Sequence, residues 1–222
     1  MIAARRLASE ALGTAFLLAV IVGSGIMAER LADGNIALAL LANSLATGAG
    51  LTALILTFSS VSGAHFNPAV TLMEALDGRM SRRLAAAYVA IQICGALAGV
   101  AAAHAMFGEQ VFSCSARLRS GWAQWWSEFV ATAGLLLVIR GTARGQRATV
   151  PFAVGAYIAS AYWFTGSTSF ANPAVTIARA FTPTFAGIRP GDAPGFIAAQ
   201  IAGAIAATMM GRWLFVATAE GC

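Results

Sequence analysis

Two copies of one tripeptide, Asn67-Pro68-Ala69 and Asn172-Pro173-Ala174, carry the most specific chemistry in this chain. Both are followed by Val-Thr, so the string NPAVT recurs 105 positions apart, each time opening an apolar run. At 1.5 Å per residue a run of about ten residues makes about 15 Å of helix, half of a hydrocarbon core of about 30 Å. Asn is a strong N-cap, and Pro at the first helical position gives up an N–H that has no intrahelical partner. Each copy therefore reads as a helix start, with Asn67 and Asn172 at the positive end of a macrodipole. Two such starts meeting at mid-membrane would oppose cations and offer two amide donors to neutral, hydrogen-bonding solutes. A single copy would read as an ordinary Asn-Pro turn; two copies in matching halves argue against that.

Few other residues could do chemistry. Glu10 and Glu128 are ionisable groups inside apolar stretches, a placement that suggests function, a proton relay included. His65, two residues before Asn67, could serve as a pH gate or as a hydrogen bonder that fixes the loop, and the second role is favoured. Gln92 and Gln200 stand three residues before Gly95 and Gly203, which suggests polar contacts where helices cross closely rather than solute ligands. Asn43 and Ser44 are polar within a span, facing either a pathway or a neighbour. Cys94, Cys114 and Cys222 show neither CxxC nor metal spacing, and Cys94 reads as a small apolar residue. There is no HExxH, no GxSxG and no Asp pair within a span. An enzyme, a metal centre and a cofactor are all unsupported.

The elements that must position these residues are membrane spans. The 222 residues are 59% hydrophobic and 10% charged, against about 25% charged for a soluble domain. Mean hydropathy is +0.74. Spans are expected at about 7–27, 36–58, 84–107, 122–139, 149–165 and 194–216, with loop-plus-half-helix segments reaching about 76 and 181. Trp122, Trp125, Trp126 and Trp213 fall near span ends, as an interfacial belt would have them. The first apolar segment is long enough to stay in the membrane as a helix rather than be cleaved. Hydrophobic spans and short connectors fill the length, so one channel domain is expected over 1–222, with repeats at about 1–107 and 122–222 joined by 108–121. Three spans per repeat is odd, so the second half must enter from the opposite side, an inverted repeat with its site where broken helices meet.

All 14 basic residues are arginines and the net charge is +5. No basic stretch exceeds two adjacent residues, which points to loop bias rather than nucleic-acid binding. With the N-terminus inside, nine arginines fall on the cytoplasmic side and five on the other. Both termini are therefore expected to be cytoplasmic.

Taken together, the six spans, the two boxes, the SGAHFNPAVT surround and a Glu near the start of each half resemble the aquaporin, or major intrinsic protein, family. The resemblance implies an all-α bundle of six transmembrane helices plus two re-entrant half-helices, one pore per subunit and a homotetramer in the bilayer. It implies a passive channel in a bacterial inner membrane, without cofactor or covalent chemistry. The alternative is a secondary transporter coupled to an ion gradient, since inverted repeats with broken helices build those too; only Glu10 and Glu128 could supply its ion site. In the family such glutamates accept hydrogen bonds from the loops bearing the boxes, and that role is favoured here.

The family also has an outer constriction of four positions. Counting from the boxes places them at Thr47, Ser160, Ser169 and Val175. Members usually carry Arg directly after the second box, where this chain has Val175, and aromatic or His residues are common at the first two positions. Thr, Ser, Ser and Val imply a wide, mildly polar, uncharged filter passing water and larger neutral solutes such as glycerol, urea or metalloid acids. The string NPAVTIARAFTPTFAGI resembles a bacterial branch linked to arsenic resistance, which makes arsenite, as the neutral trihydroxide, a specific candidate. Arg179, one turn beyond Val175, could reach the pathway and partly replace the missing charge; binding carbonyls or snorkelling outward is the favoured alternative.

Overall fold

The computed structural model describes residues 2–215, so Cys222 and the expected end of the last span at 216 lie outside it. Eight α-helices follow in order: α1 (Ile2–Leu31), α2 (Ile36–Ser62), α3 (Pro68–Leu76), α4 (Arg82–Phe107), α5 (Trp122–Gly145), α6 (Val150–Phe164), α7 (Pro173–Arg179) and α8 (Ala193–Leu214). Six are long; α3 and α7, which begin at the prolines of the two boxes, have nine and seven residues. The expected spans match within a few residues, except that α1 and α5 run on by several. Four helices, α1, α2, α4 and α8, are long and apolar enough to cross a membrane by length and composition. α5 carries Glu128, Arg140 and Arg144, and α6 has only 15 residues.

The bundle inverts the solubility pattern of a water-soluble protein. Leu12, Phe16, Leu45, Trp122, Phe152 and Trp213 are exposed on its outside, while Glu10, Thr14, Asn43, Gln92, Glu128 and Gln200 are buried within it. A lipid solvent dictates that arrangement, because each polar group there must find a partner inside the protein. Asn43 does so by donating to Ile21 O and Ser24 Oγ, both at 2.9 Å, which ties α2 to α1. The Ser44 hydroxyl accepts from Trp163 Nε1 at 3.1 Å, across to α6. Cys94 and Cys114 are exposed free thiols.

Matching contacts recur in the two halves. α1 lies along α4 and α5 lies along α8, in both cases through glycines on the second partner. A Cβ on Gly95 or Gly99 would collide with the backbone carbonyls of Ala11 or Ala15, and one on Gly203 would come within 2.6 Å of Phe129 O. α2 crosses α6 at Gly48 and Gly155, where each glycine faces the other's carbonyl. Without hydrophobic driving force between helices in lipid, this backbone proximity supplies packing that larger residues would forbid. The expected contact of Gln92 and Gln200 with helix crossings is met, though their partners are more specific than that. Gly203→Val overpacks the α5–α8 crossing and should cost about 1–3 kcal/mol, read as a lower melting temperature in detergent; Gly145→Ala, at a site open on all sides, should leave it unchanged.

Candidate functional site

The two short helices start where their sequences dictate. The Asn67 side-chain oxygen accepts from Ala69 N at 2.8 Å, and that of Asn172 accepts from Ala174 N at 3.0 Å and Val175 N at 3.3 Å. Each amide nitrogen then reaches into the other half. Asn67 Nδ2 donates to Ala171 O and Asn172 Nδ2 donates to Phe66 O, both at 2.8 Å. The two caps thus brace each other at the centre of the molecule, and each NH2 group keeps a second N–H beyond the one so used.

Strained loops make this geometry. Ala64, Phe66, Ser169 and Ala171 all have φ between 48° and 50°, at positions three and one before each Asn. Non-glycine residues enter that left-handed region at a cost of order 1–3 kcal/mol each and stay there only when their surroundings over-determine them. The surroundings here are two buried carboxylates. Glu10 accepts from His65 N at 3.0 Å, Phe66 N at 2.7 Å, Ser62 Oγ at 2.6 Å and Gln92 Nε2 at 2.8 Å. Glu128 accepts from Phe170 N and Ala171 N, both at 2.9 Å, and from Gln200 Nε2 at 2.6 Å. Each glutamine also donates to the threonine of its NPAVT string, Gln92 to Thr71 at 3.1 Å and Gln200 to Thr176 at 2.8 Å. His65 Nδ1 lies 3.0 Å from the same Thr71 hydroxyl. Both oxygens of each carboxylate thus accept hydrogen bonds, from the loops that precede the boxes among others, and His65 is tied to the first half-helix through Thr71.

A narrow cavity of about 100 Å³ runs past both asparagines. It continues into an open vestibule through a shared collar that includes Ile55, His65, Val70, Ile139 and Val150. Thr47, Ser169 and Val175 lie on its wall together, all buried, and the Ser169 hydroxyl has no protein partner. Ser160 does not join them. It is exposed, and its hydroxyl donates back to Tyr157 O. The wall residues of α6 are Val150, Val154, Ile158 and Tyr162, spaced by four; Ser160, two residues from the nearest of these, points to the opposite side at about 100° per residue. Tyr162 takes the expected place, with its hydroxyl 3.2 Å from that of Thr47. Counting back twelve residues from the second box missed this, because only the seven residues 165–171 separate α6 from Asn172.

The wall is also charged, contrary to the uncharged filter the four residues implied. Arg179 is 2% exposed and lines the cavity. Its Nε donates to Ala186 O and its guanidinium sits 3.4 Å from the centroid of the Phe170 ring. It therefore binds a carbonyl, as favoured, and reaches the passage as well. A second cation, Arg119, stacks on the same ring at 5.1 Å and donates to Gly187 O, Ser167 O and Thr168 Oγ1. Burial, aided by the neighbouring Arg117, lowers Arg119 to about 10, which leaves it cationic at neutral pH. Sequence reasoning missed Arg119, since nothing local in the connector shows that it reaches back to the second loop. Among the described residues no cluster of His, Cys, Asp or Glu could hold a metal ion.

The comparisons with known proteins agree with this architecture. The sequence model of the family described as major intrinsic protein matches residues 1–166. The chain is 55% identical over 210 residues to aquaglyceroporin AqpS of Rhizobium meliloti (strain 1021), covering 95% of this chain and 90% of that one. It is 34% identical over 186 residues to aquaporin NIP1-3 of Oryza sativa subsp. japonica, covering 80% of this chain and 63% of that one. Its fold is similar to the X-ray structure of the aquaglyceroporin from Plasmodium falciparum, with a TM-score of 0.77 at 20% identity over 96% of this chain and 97% of that one. Glu128→Ala orphans two backbone N–H groups and Gln200, at about 1–3 kcal/mol for each buried donor. It is expected to lower both melting temperature and solute flux; an unchanged flux would show that the second loop does not need the carboxylate.

Proposed function

This chain belongs to the major intrinsic protein family, and on that premise we propose that its outer filter is formed by Thr47, Tyr162, Ser169, Val175 and Arg179. The protein is a multi-pass membrane channel, not an enzyme, and passes water and small solutes such as glycerol passively. The observation that carries the filter assignment is the Thr47–Tyr162 hydroxyl pair at 3.2 Å on a wall that also bears Arg179. The phenol narrows the passage and supplies a hydroxyl that donates or accepts. The guanidinium enters from one helical turn past the usual position and restores the field that repels cations. Val175 and the unpartnered Ser169 hydroxyl line the remaining wall, apolar and polar in turn, which suits solutes with a carbon face and hydroxyl edges. Glycerol and urea fit that description, as does the neutral trihydroxide of arsenite.

In this reading the Asn67 and Asn172 tips, with Pro68, Ala69, Pro173 and Ala174 behind them, form the central constriction. Glu10, Glu128 and His65 hold the loops. The two halves act as inverted repeats of a single channel domain, both termini face the cytoplasm of a bacterial inner membrane, and four copies assemble. Support for the orientation comes from the positive-inside bias of nine arginines, Arg79, Arg140, Arg144 and Arg212 among them, against five on the other side, Arg30, Arg117, Arg119 and Arg189 among them.

Stopped-flow flux in proteoliposomes tests the filter. Tyr162→Ala should raise glycerol and urea permeability several-fold relative to water, whereas Ser160→Ala should leave every permeability unchanged. Arg179→Ala should admit monovalent cations that the parent channel rejects, read as a current in planar bilayers. Equal effects of the Ser160 and Tyr162 changes would overturn the assignment.

A further inference from the structure

The vestibule that opens from the collar is lined by Arg79, Arg140, Arg144, Arg147 and Arg212, against two carboxylates among the described residues, Glu74 and Asp77. Asp77 is shared by three guanidiniums: Arg79 at 2.9 Å, Arg212 at 3.0 Å and Arg140. Its side chain is 7% exposed, so it acts as a fixed hub that draws residues following α3 together with the ends of α5 and α8. Glu74 is taken by Arg79 in a two-pronged contact of 2.6 and 2.8 Å. Among the described residues no carboxylate meets Arg144 or Arg147; Arg144 donates to Phe215 O, and Arg147 is exposed in the turn before α6. Among the described residues, five guanidiniums against two carboxylates leave three positive charges uncompensated in one concavity of about 770 Å³.

We propose that this vestibule binds a multiply charged phosphate group, free or carried on a lipid headgroup, and that the bound anion plugs the channel. Planar guanidinium forks match phosphate oxygens in pairs, and low-dielectric walls of one sign concentrate an anion in a cleft. That volume lies within the range of an ordinary small-molecule site, about 300–1,000 Å³. The anion stops there because the collar, apart from His65, is apolar at Ile55, Val70, Ile139 and Val150, and a charge stripped of water pays heavily to enter it. Neutral solutes feel neither the attraction nor the barrier. The inference rests on the channel reading and adds a regulatory ligand to it.

The test uses full-length protein and pyrophosphate as the probe. In phosphatidylcholine vesicles, pyrophosphate on both sides should cause a several-fold loss of glycerol permeability that chloride at equal ionic strength does not reproduce. Arg144→Ala/Arg147→Ala should abolish the loss while keeping basal flux and melting temperature. If the source is lipid, phosphatidylglycerol vesicles without pyrophosphate should show the same arginine-dependent loss. Calorimetric titration of pyrophosphate into the solubilised protein reads the site independently of flux, so a protein that failed to conduct would sink the channel reading and leave the anion site measurable. No arginine-dependent inhibition in either vesicle, or no heat of binding that the double substitution removes, overturns the proposal.

Discussion

Irregular backbone at membrane depth has no water to satisfy it, and the rest of this structure follows from how two carboxylates meet that need. Glu10 and Glu128 each gather consecutive backbone N–H groups from the loop preceding a box. Each also takes one amide of a glutamine that in turn fixes the threonine of NPAVT. A charged group inside an apolar span is tolerable because its oxygens are consumed in this way. The carboxylates cross between α1 or α5 and the loops, and so relate the broken helices to the long ones. Once those loops are fixed, the two asparagines face each other with their amides already oriented.

Much of this was readable in the chain and some of it was not, for identifiable reasons. The boxes carry their own caps, so Asn67 and Asn172 declare helix starts without tertiary help. Glu10 and Glu128 stood out because charge is costly in an apolar stretch, and Gly95, Gly99 and Gly203 because small residues mark close crossings. The filter was harder. Ser160 was placed by counting from a box, which presumes a loop length, and helical phase then put Tyr162 on the wall instead. Arg179 was visible as one turn from Val175, but its stacking on Phe170 depends on the fold. Arg119 is a contact 48 residues along the chain from Ser167, and no local pattern announces such reach.

The two mouths differ in how they use arginine. At the end away from the vestibule Arg179 is buried and Arg119 partly so, both stacked on one ring and bound to carbonyls, so their charge is fixed in place. At the vestibule end Arg79 and Arg212 are half exposed around Asp77, and Arg144 and Arg147 stand in the open. One arrangement holds its charge immobile between carbonyls and a ring, whereas the other leaves guanidinium donors exposed. Between them the passage is apolar but for the asparagine tips, His65, Thr47, Tyr162, Ser169 and backbone carbonyls.

The five left-handed residues at 64, 66, 168, 169 and 171 give the loops a further property. None is glycine, so each is held away from its resting shape by contacts on either side. A loop held in this fashion behaves like a latch under tension: it has one engaged geometry, and release of a single anchor lets the whole segment relax instead of loosening by degrees. Small thermal fluctuations therefore leave the aperture at the centre nearly constant in width. Lasting damage to one half would open or collapse the aperture all at once, and through the paired asparagines the other half would follow.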